Sequence, residues 1–261
     1  MNKVSIVVAI KNRLKHFKKI FTSLITQRGV PYELVLVNFY SNDNLTDFIE
    51  TELKDYQDIY SPELELIKLV EIREDLKFNP RKAKNLGTKN SCGSIIAYSD
   101  ADVFLSMDYL KYWTNYVEKG KSFVATRIRQ TFISDPIRIS PEVNYGNCLV
   151  HKDDVMKILG WDETIKNYGA DDDDFFHRLE LIGLKENNPK DYMEARQYSI
   201  PHDDKDRLSF LEDPTRCNIN TIFKETYSNK NPTSREFNFL KNYQNHSTKT
   251  IYAKPIQKKG H

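Results

Sequence analysis

The sequence is poor in cysteine, in long apolar runs and in net charge. Its three cysteines stand far apart in a chain of 261 residues, so neither a disulfide framework nor a zinc-type ligand spacing is present. The formal net charge of +2 gives no bulk attraction to nucleic acid, and we expect no nucleic-acid partner. Apolar runs such as Val4–Ile10 are far shorter than the roughly 20 residues that span a bilayer. The N-terminus enters that run without a cleavage site, so no signal peptide is predicted, and the isolated cysteines indicate a cytoplasmic protein.

Strand patterns and helix patterns alternate over the first hundred residues. Four apolar runs are typical of strands buried on both faces: Val4–Ile10, Glu33–Phe39, Leu64–Val70 and Ile95–Ser99. Apolar residues at helical spacing separate them, and Pro80 opens the helical stretch that precedes the fourth run. The alternation indicates an α/β fold with a mostly parallel central sheet flanked by helices. Ligands of such sheets bind outside the carboxyl ends of the strands.

The second half of the chain has a less regular pattern. We expect a strand over Ser122–Phe132, a loop over residues 133–146 and a short strand over Asn147–Val150. A helix is predicted from about Asp171, and Glu194–Ile200 is predicted as a last strand.

Asp100 and Asp102 follow the fourth buried run directly. Two carboxylates one residue apart can bind Mg²⁺ or Mn²⁺, whose remaining positions are often filled by substrate phosphates. The alternative is a solvated turn in which aspartate caps the next helix. The pattern alone does not separate the two.

Three further segments favour a metal–nucleotide site. Asn79–Gly93 carries cations that suit a diphosphate, although for this segment taken alone a solvated basic helix face is the better explanation. Four successive aspartates, Asp171 to Asp174, are more than a helix N-terminus needs, and their crowding raises carboxyl pKa values toward those of a general base. His202 follows an apolar run and adds an imidazole, which is either a metal ligand or a structural histidine.

Taken in order, these segments resemble the GT-A glycosyltransferases of the family-2 type. Val4–Arg13 is similar to the family's first strand and the Asn-Arg after it, and Glu33–Asp47 to its second strand and acidic turn. Pro80–Asp102 resembles its Arg-Asn-x-Gly helix and Asp-x-Asp strand. Gly146–Leu179 resembles the acceptor-side motif of β-1,4-galactosyltransferases and chondroitin-polymerase modules. The resemblance covers residues 3–205.

The resemblance implies a single GT-A domain over residues 1–225, with a nucleotide-binding half (1–104) and an acceptor-binding half (105–225). It implies an inverting transfer from a UDP-sugar, with Mn²⁺ or Mg²⁺, to a glycan or lipid-linked acceptor in bacterial surface polysaccharide synthesis. Asp172 would be the catalytic base. The metal ligands would be Asp102, Asp100 and His202.

Two further groups of residues take their roles from the same resemblance. Acceptor binding would fall to Asp171, Asp173, Trp161 and Tyr168, where core packing is the alternative for Trp161. Binding of the nucleotide sugar would fall to Ala9, Asn12, Arg13, Asn38, Arg81, Lys84, Asn85, Asp100 and Ala101.

The chain departs from the family pattern at three positions. Asn38 stands where relatives carry aspartate, Tyr40 replaces the glycine of the following turn, and Lys84 replaces arginine. An aromatic residue at that turn would reshape the base pocket.

Two other functions fit an α/β chain of this size. A nucleotidyltransferase usually has a glycine-rich loop after its first strand, and residues 9–17 contain no glycine. A catalytically inactive sugar-binding module would not need the aspartates and His202.

Residues 226–261 form a predicted basic C-terminal extension. Its mixture of cations and aromatic residues is suited to peripheral contact with the inner face of the membrane. The alternative is that the extension packs on the catalytic domain.

Overall fold

The structure is a computed structural model. It describes residues 3–74, 77–126, 128–133, 138–143, 146–165, 169–189, 197–200 and 246–254. For 128–133 and 138–143 only the backbone is described, and for the other ranges the side chains as well.

Twelve strands and six α-helices are assigned within those residues. The strands are β1 Val4–Ile10, β2 Tyr32–Asn38, β3 Leu64–Ile72, β4 Ile95–Asp100, β5 Val103–Leu105, β6 Ser122–Ala125, β7 Ile128–Ile133, β8 Arg138–Val143, β9 Cys148–His151, β10 Lys185–Glu186, β11 Gln197–Ser199 and β12 His246–Ala253. The helices are α1 Leu14–Ile25, α2 Leu45–Thr51, α3 Pro80–Asn90, α4 Tyr109–Trp113, α5 Lys152–Lys157 and α6 Asp171–Leu181, with 3-10 turns at Glu52–Ile59 and Thr114–Tyr116. None of the helices within the described ranges is both long and apolar enough to span a bilayer.

The main sheet has eight strands in the order β10-β6-β9-β4-β1-β2-β3-β12. Its centre, β4-β1-β2-β3, is parallel throughout, while β9 and β12 run antiparallel to their neighbours. A second sheet has the order β5-β11-β7-β8. The predicted α/β fold with a mostly parallel, helix-flanked sheet is confirmed.

Two predictions for the second half were wrong in detail. The segment Ser122–Phe132 forms two strands in different sheets, β6 and β7. Part of the expected loop at 133–146 is β8, which pairs with β7 from Ile128–Val143 to Ile133–Arg138. Pro141 argued against a strand, but β8 lies at a sheet edge, where a missing N–H costs no ladder bond.

Two apolar cores cover the faces of the main sheet. Alternate residues of β1 point to opposite faces, so Ile6 and Val8 pack with α1 and α2, while Val7 packs with α3 and α6. Helices α3 and α6 therefore share one face of the sheet. Their N-terminal turns meet beside the carboxyl end of β4, where ion pairs join them.

Candidate active site

The carboxyl ends of β1, β2 and β4 form one edge of the sheet. Ala9 of β1 pairs with Val37 of β2 on one side and with Asp100 of β4 on the other. Because the three strands are parallel, the residues that follow them emerge at the same edge. This edge brings together the segments Lys11–Arg13, Asn38–Ser41 and Asp100–Asp102.

The turns after β1 and β2 are joined by hydrogen bonds. The Asn12 backbone N–H donates to Ser41 Oγ at 3.0 Å, and Asn12 Oδ1 accepts from the Asn42 N–H at 2.8 Å. Asn38 Oδ1 accepts from the Ser41 N–H at 2.9 Å, and Asn38 Nδ2 donates to Thr46 Oγ1 at 2.9 Å. The two turns thus form one connected unit, in which Asn12 and Asn38 hold the backbone.

Asp100 lies against the backbone of Gly146. A Cβ atom built on Gly146 would stand 2.2 Å from Asp100 Oδ2, so only glycine allows this approach. The Asp100 N–H donates to Asn147 Oδ1 at 3.0 Å, and Asn147 Nδ2 donates to Gln197 Oε1 of β11 at 2.9 Å. Gly146 and Asn147 therefore position the carboxylate from the neighbouring strands.

Asp102 lies beside the last described residue of the β11 segment. Strand β11 pairs antiparallel with β5, and the Ile200 N–H donates to the Asp102 carbonyl oxygen at 2.7 Å. His202 is two residues further along the chain. Both His202 and Tyr168 lie outside the described residues.

Lys84 links the acidic start of α6 to the sheet edge. Its Nζ lies 3.3 Å from Asp172 Oδ1 and 3.8 Å from the centroid of the Trp161 ring. Burial lowers the pKa of this ammonium, but attraction to Asp172, Asp171 and Asp100 outweighs burial and raises the pKa above its ordinary value. One turn earlier, Arg81 Nε lies 3.4 Å from Asp171 Oδ2. The cations of α3 thus face the carboxylates of α6.

Asp172 is a carboxylate with a strongly raised pKa. Burial is the main cause and raises the pKa to about 7, with further repulsion from Asp171 and Asp100. Lys84 acts in the opposite direction, but its attraction is insufficient to cancel the other effects. The side chain keeps 19% of its surface exposed, so solvent can reach it. A carboxylate with these properties exchanges protons near neutral pH.

Trp161 and Asn85 have structural positions. Trp161 is fully buried and stacks on Phe175 with ring centroids 4.0 Å apart and an angle of 2°. Asn85 Oδ1 accepts from the Trp161 N–H at 2.8 Å, and Asn85 Nδ2 donates to the Trp161 carbonyl and to Glu163 Oε1, each at 2.9 Å. Trp161 is therefore a core residue, the alternative to acceptor binding, because Phe175 and Lys84 cover the two faces of its ring. The Asn85 amide is used within the protein and fixes the loop before α6.

A model described as glycosyl transferase family 2 matches residues 5–143 of the chain, which is more than half of its length. The chain belongs to glycosyl transferase family 2. A second model, described as the N-terminal domain of galactosyltransferase, matches residues 135–203. The predicted family resemblance is confirmed, and the second match overlaps the segment that resembles galactosyltransferases.

Similar proteins include glycosyltransferases. An uncharacterized glycosyltransferase of Rickettsia bellii is 22% identical over 145 residues, which are 56% of this chain and 19% of that protein. The chain thus spans about a fifth of the length of this curated relative. The mannosyltransferase PcManGT of Pyrobaculum calidifontis, solved with GDP-Man and Mn²⁺, has a TM-score of 0.59 at 16% identity, over 77% of this chain and 56% of that chain. S. aureus TarS 1–349, solved with UDP, has a TM-score of 0.56 at 15% identity, over 92% and 75%. These likenesses establish the GT-A fold.

The carboxylates of this family-2 chain fit a divalent cation by their chemistry. Asp100 is seated in a cradle that any Cβ on Gly146 would fill, and Asp102 follows two residues later. Carboxylate oxygens are the donors that Mg²⁺ and Mn²⁺ prefer. Within the described ranges, no group of three or more His, Cys, Asp or Glu side chains is placed to hold a metal ion. The third predicted ligand, His202, is outside those ranges.

Two of the remaining predicted site residues, Ala101 and Arg13, lie along the same edge, and a third, Asp173, lies on α6. Ala101 is in the tight turn between β4 and β5 and is 7% exposed. Arg13 precedes α1, and its carbonyl accepts the N–H groups of His16 and Phe17. Asp173 is partly exposed in the first turn of α6.

Three residues of this edge were missed by the sequence reasoning: Lys11, Gly146 and Asn147. Lys11 directly follows the first strand, which is a signal that sequence reasoning could have used. The contact of Gly146 and Asn147 with Asp100 crosses more than forty residues of chain, and a Gly-Asn pair before a strand gives no sign of it.

Proposed function

We propose that this protein transfers a sugar from a nucleotide sugar, most simply a UDP-sugar, to an acceptor hydroxyl with inversion at the anomeric carbon. Family membership supports sugar transfer, and the similar structures solved with UDP and with GDP-Man and Mn²⁺ support a nucleotide donor. The observation that carries the proposal is the position of Asp172. Its carboxylate, with a pKa of about 7, lies beside Lys84 at the strand edge that also bears Asp100.

Asp172 is the proposed general base. The acceptor hydroxyl oxygen attacks the anomeric carbon while its proton passes to an Asp172 oxygen. The bond between that carbon and the diphosphate oxygen breaks on the opposite side, and the nucleoside diphosphate leaves with the electron pair. Configuration at the carbon is therefore inverted. The pKa near 7 matches a base that must be ionised before the reaction and protonated after it.

Asp102, Asp100 and His202 are the proposed ligands of Mn²⁺ or Mg²⁺. When bound, the cation supplies positive charge to the leaving diphosphate. Gly146 and Asn147 would keep Asp100 oriented toward it, since they fix the residue from two sides. The Ile200 N–H holds the backbone of Asp102. The chain from Ile200 to His202 is two residues long and spans no more than about 7 Å, which limits the distance between these two residues.

Asp171, Asp173 and Tyr168 are the proposed contacts to acceptor hydroxyls. Arg81 would orient Asp171 through their 3.4 Å ion pair. We further propose that the acceptor is a glycan or a lipid-linked glycan of a bacterial surface polysaccharide, and that residues 1–104 hold the donor and residues 105–225 the acceptor.

The proposal is tested with Asp172→Asn and Asp102→Ala in the full chain, measuring UDP binding with Mn²⁺ and sugar transfer or donor hydrolysis. Asp172→Asn removes the base, so we expect transfer to fall by about 10²-fold or more while UDP binding persists. Asp102→Ala removes a metal ligand, so the Mn²⁺-dependent part of UDP binding should be lost.

Asp153→Asn is a matched control, because Asp153 is an exposed aspartate of α5 that pairs with Lys119 away from the site. It should retain both binding and transfer. Undiminished turnover in Asp172→Asn would show that the base is elsewhere. Unchanged Mn²⁺-dependent affinity in Asp102→Ala would remove Asp102 from the metal site.

A further inference from the structure

Tyr40 has a backbone conformation that bulky residues rarely adopt. Its φ is +54°, in the left-handed region that glycine enters freely and asparagine tolerates. The same turn contains a second residue of this kind, Asn44, with φ +61°. Asparagine is an ordinary choice at such a position, whereas tyrosine is not. A tyrosine here therefore needs an explanation beyond the path of the backbone.

The hydrogen bonds on both sides of Tyr40 impose this conformation. The next residue, Ser41, donates its N–H to Asn38 Oδ1 at 2.9 Å and accepts the Asn12 N–H on its hydroxyl at 3.0 Å. The preceding residue, Phe39, donates its N–H to the Ile10 carbonyl at 2.8 Å. The backbone is fixed on either side, so Tyr40 is held at the edge of the sheet.

The Tyr40 side chain presents a large aromatic surface next to a buried lysine. Tyr40 is 42% exposed and Lys11 only 8%. Lys11 Nζ donates to the Tyr40 carbonyl at 3.2 Å and lies 5.7 Å from the centre of the Tyr40 ring and 5.9 Å from that of Phe39. An exposed ring above a cation suits a planar, electron-rich group that carries hydrogen-bond acceptors.

The spacing of Tyr40 and Asp100 along the sheet edge suits the base and the diphosphate of one nucleotide. Tyr40 follows β2, and β1 separates β2 from β4, which ends at Asp100. Two strand spacings are about 10 Å. A nucleoside diphosphate whose diphosphate lies at Asp100 is long enough for its base to reach Tyr40 at the end of β2.

We propose that Tyr40 is a stacking platform for the nucleobase of the donor and a determinant of nucleotide affinity. The inference rests on the proposed function, since it requires a nucleotide donor whose diphosphate lies at Asp100. The ring receives one face of the base, and the Lys11 ammonium beside it attracts the carbonyl oxygens of the base. The left-handed backbone at this position would favour glycine. Tyrosine adds a contact with the base that glycine cannot supply.

The test is calorimetric titration of the full chain with UDP and Mn²⁺, and separately with inorganic pyrophosphate and Mn²⁺, alongside thermal melts. Tyr40→Asn and Tyr40→Gly suit the left-handed backbone but lack the ring. We expect both to bind UDP roughly tenfold more weakly and pyrophosphate as the wild type does, because only the stacked base is lost. Their melting temperatures should equal or exceed that of the wild type, since the strained residue is gone.

Two further variants serve as controls. Tyr40→Phe keeps the ring and should keep UDP affinity. Asn44→Gly makes a comparable backbone change in the same turn without removing a ring, and its UDP affinity should be unchanged. Unchanged UDP affinity in Tyr40→Asn overturns the inference, as does an equal loss for UDP and pyrophosphate. Wild-type protein that binds neither UDP nor GDP would instead overturn the proposed function, and the inference with it.

Discussion

Lys84 is a buried cation that contacts an acid at the start of α6 and an indole ring at the same time. Its Nζ atom lies 3.3 Å from Asp172 Oδ1 and 3.8 Å from the centroid of the Trp161 ring. Attraction to Asp100 also raises the pKa of the ammonium. Arginine, which the family pattern carries here, is planar and makes two parallel hydrogen bonds, whereas lysine concentrates its charge on one atom. That point charge acts directly on the protonation of Asp172.

The Lys84→Met variant tests this electrostatic role. Lys84 lowers the Asp172 pKa from a still higher value, so its removal should raise that pKa. Because the proposed base, Asp172, would act when ionised, we expect the wild-type rate to rise with pH through about 7. In the variant, this acid limb of kcat/KM should move to higher pH by about one unit.

The control for Lys84→Met is Lys89→Met, on the exposed last turn of the same helix. Its acid limb should stay at the wild-type position. An unshifted limb in Lys84→Met would mean that the ammonium does not act on the proposed base, Asp172.

At the scale of the element, α3 connects the sheet to the loop before α6. Asn79 caps the helix by accepting the N–H groups of Arg81 and Lys82 at 3.1 and 3.3 Å, and its Nδ2 donates to the Glu163 carbonyl at 3.2 Å. At the other end, Gly87 lies against the sheet, where an added Cβ would meet Val7 Cγ1 at 2.3 Å. The position of Lys84 depends on both contacts.

Gly87→Ala should therefore destabilise the protein through overpacking. The added methyl group clashes with Val7 and pushes α3 from the sheet, which costs about 2 kcal/mol and lowers the melting temperature by about 5 °C. The measurement is a thermal melt of each variant.

The rescue variant combines Gly87→Ala with Val7→Ala, which removes the clashing Cγ1 atom. The double variant should lose less stability than the two single changes added together. Strict additivity would show that Gly87 and Val7 do not limit the approach of α3.

At the scale of the whole molecule, part of the C-terminal extension completes the main sheet. Strand β12, within residues 226–261, pairs antiparallel with β3 from His246–Ile72 to Ala253–Leu66. Lys249 forms an ion pair with Glu50 at 2.6 Å, and the Tyr252 and Tyr60 rings contact each other at 4.9 Å. Of the two alternatives for the extension, membrane contact and packing on the rest of the chain, this segment therefore shows packing.

Truncation after residue 245 should expose the edge of β3. Unpaired strand edges lose ladder hydrogen bonds and promote association between chains. We expect the melting temperature to fall by several degrees and light scattering to rise at high protein concentration. A truncation after Lys254 keeps β12 and should behave as the full chain does; equal melting temperatures for both truncations would contradict the role of β12.

Local sequence signals predicted the elements whose cause is local. The β-branched run of β1 predicted a strand over Val4–Ile10, and Pro80 predicted the start of α3, both as observed. Strand β8 was missed because Pro141 is compatible with a strand only at a sheet edge, and the edge is set by the tertiary fold.

The candidate site divides in the same way. The two acidic clusters were visible as sequence patterns, and the fold brings Asp100 and Asp172 to one lysine. Asn85 was assigned to the nucleotide, yet its amide is used by Trp161 and Glu163, which are more than seventy residues away. An amide that recognises a backbone cannot be distinguished from one that recognises a ligand until that backbone is located.

The Asn85 contacts also limit how this enzyme can be rebuilt. The loop from Trp161 to Glu163 is held by the Asn85 and Asn79 amides of α3 through both backbone and side-chain atoms. A chimera that imports only the loop and α6 of a relative would separate this loop from the α3 amides that hold it. Exchange of this region between relatives therefore has a natural unit, which comprises α3 together with the loop and α6 rather than the loop alone.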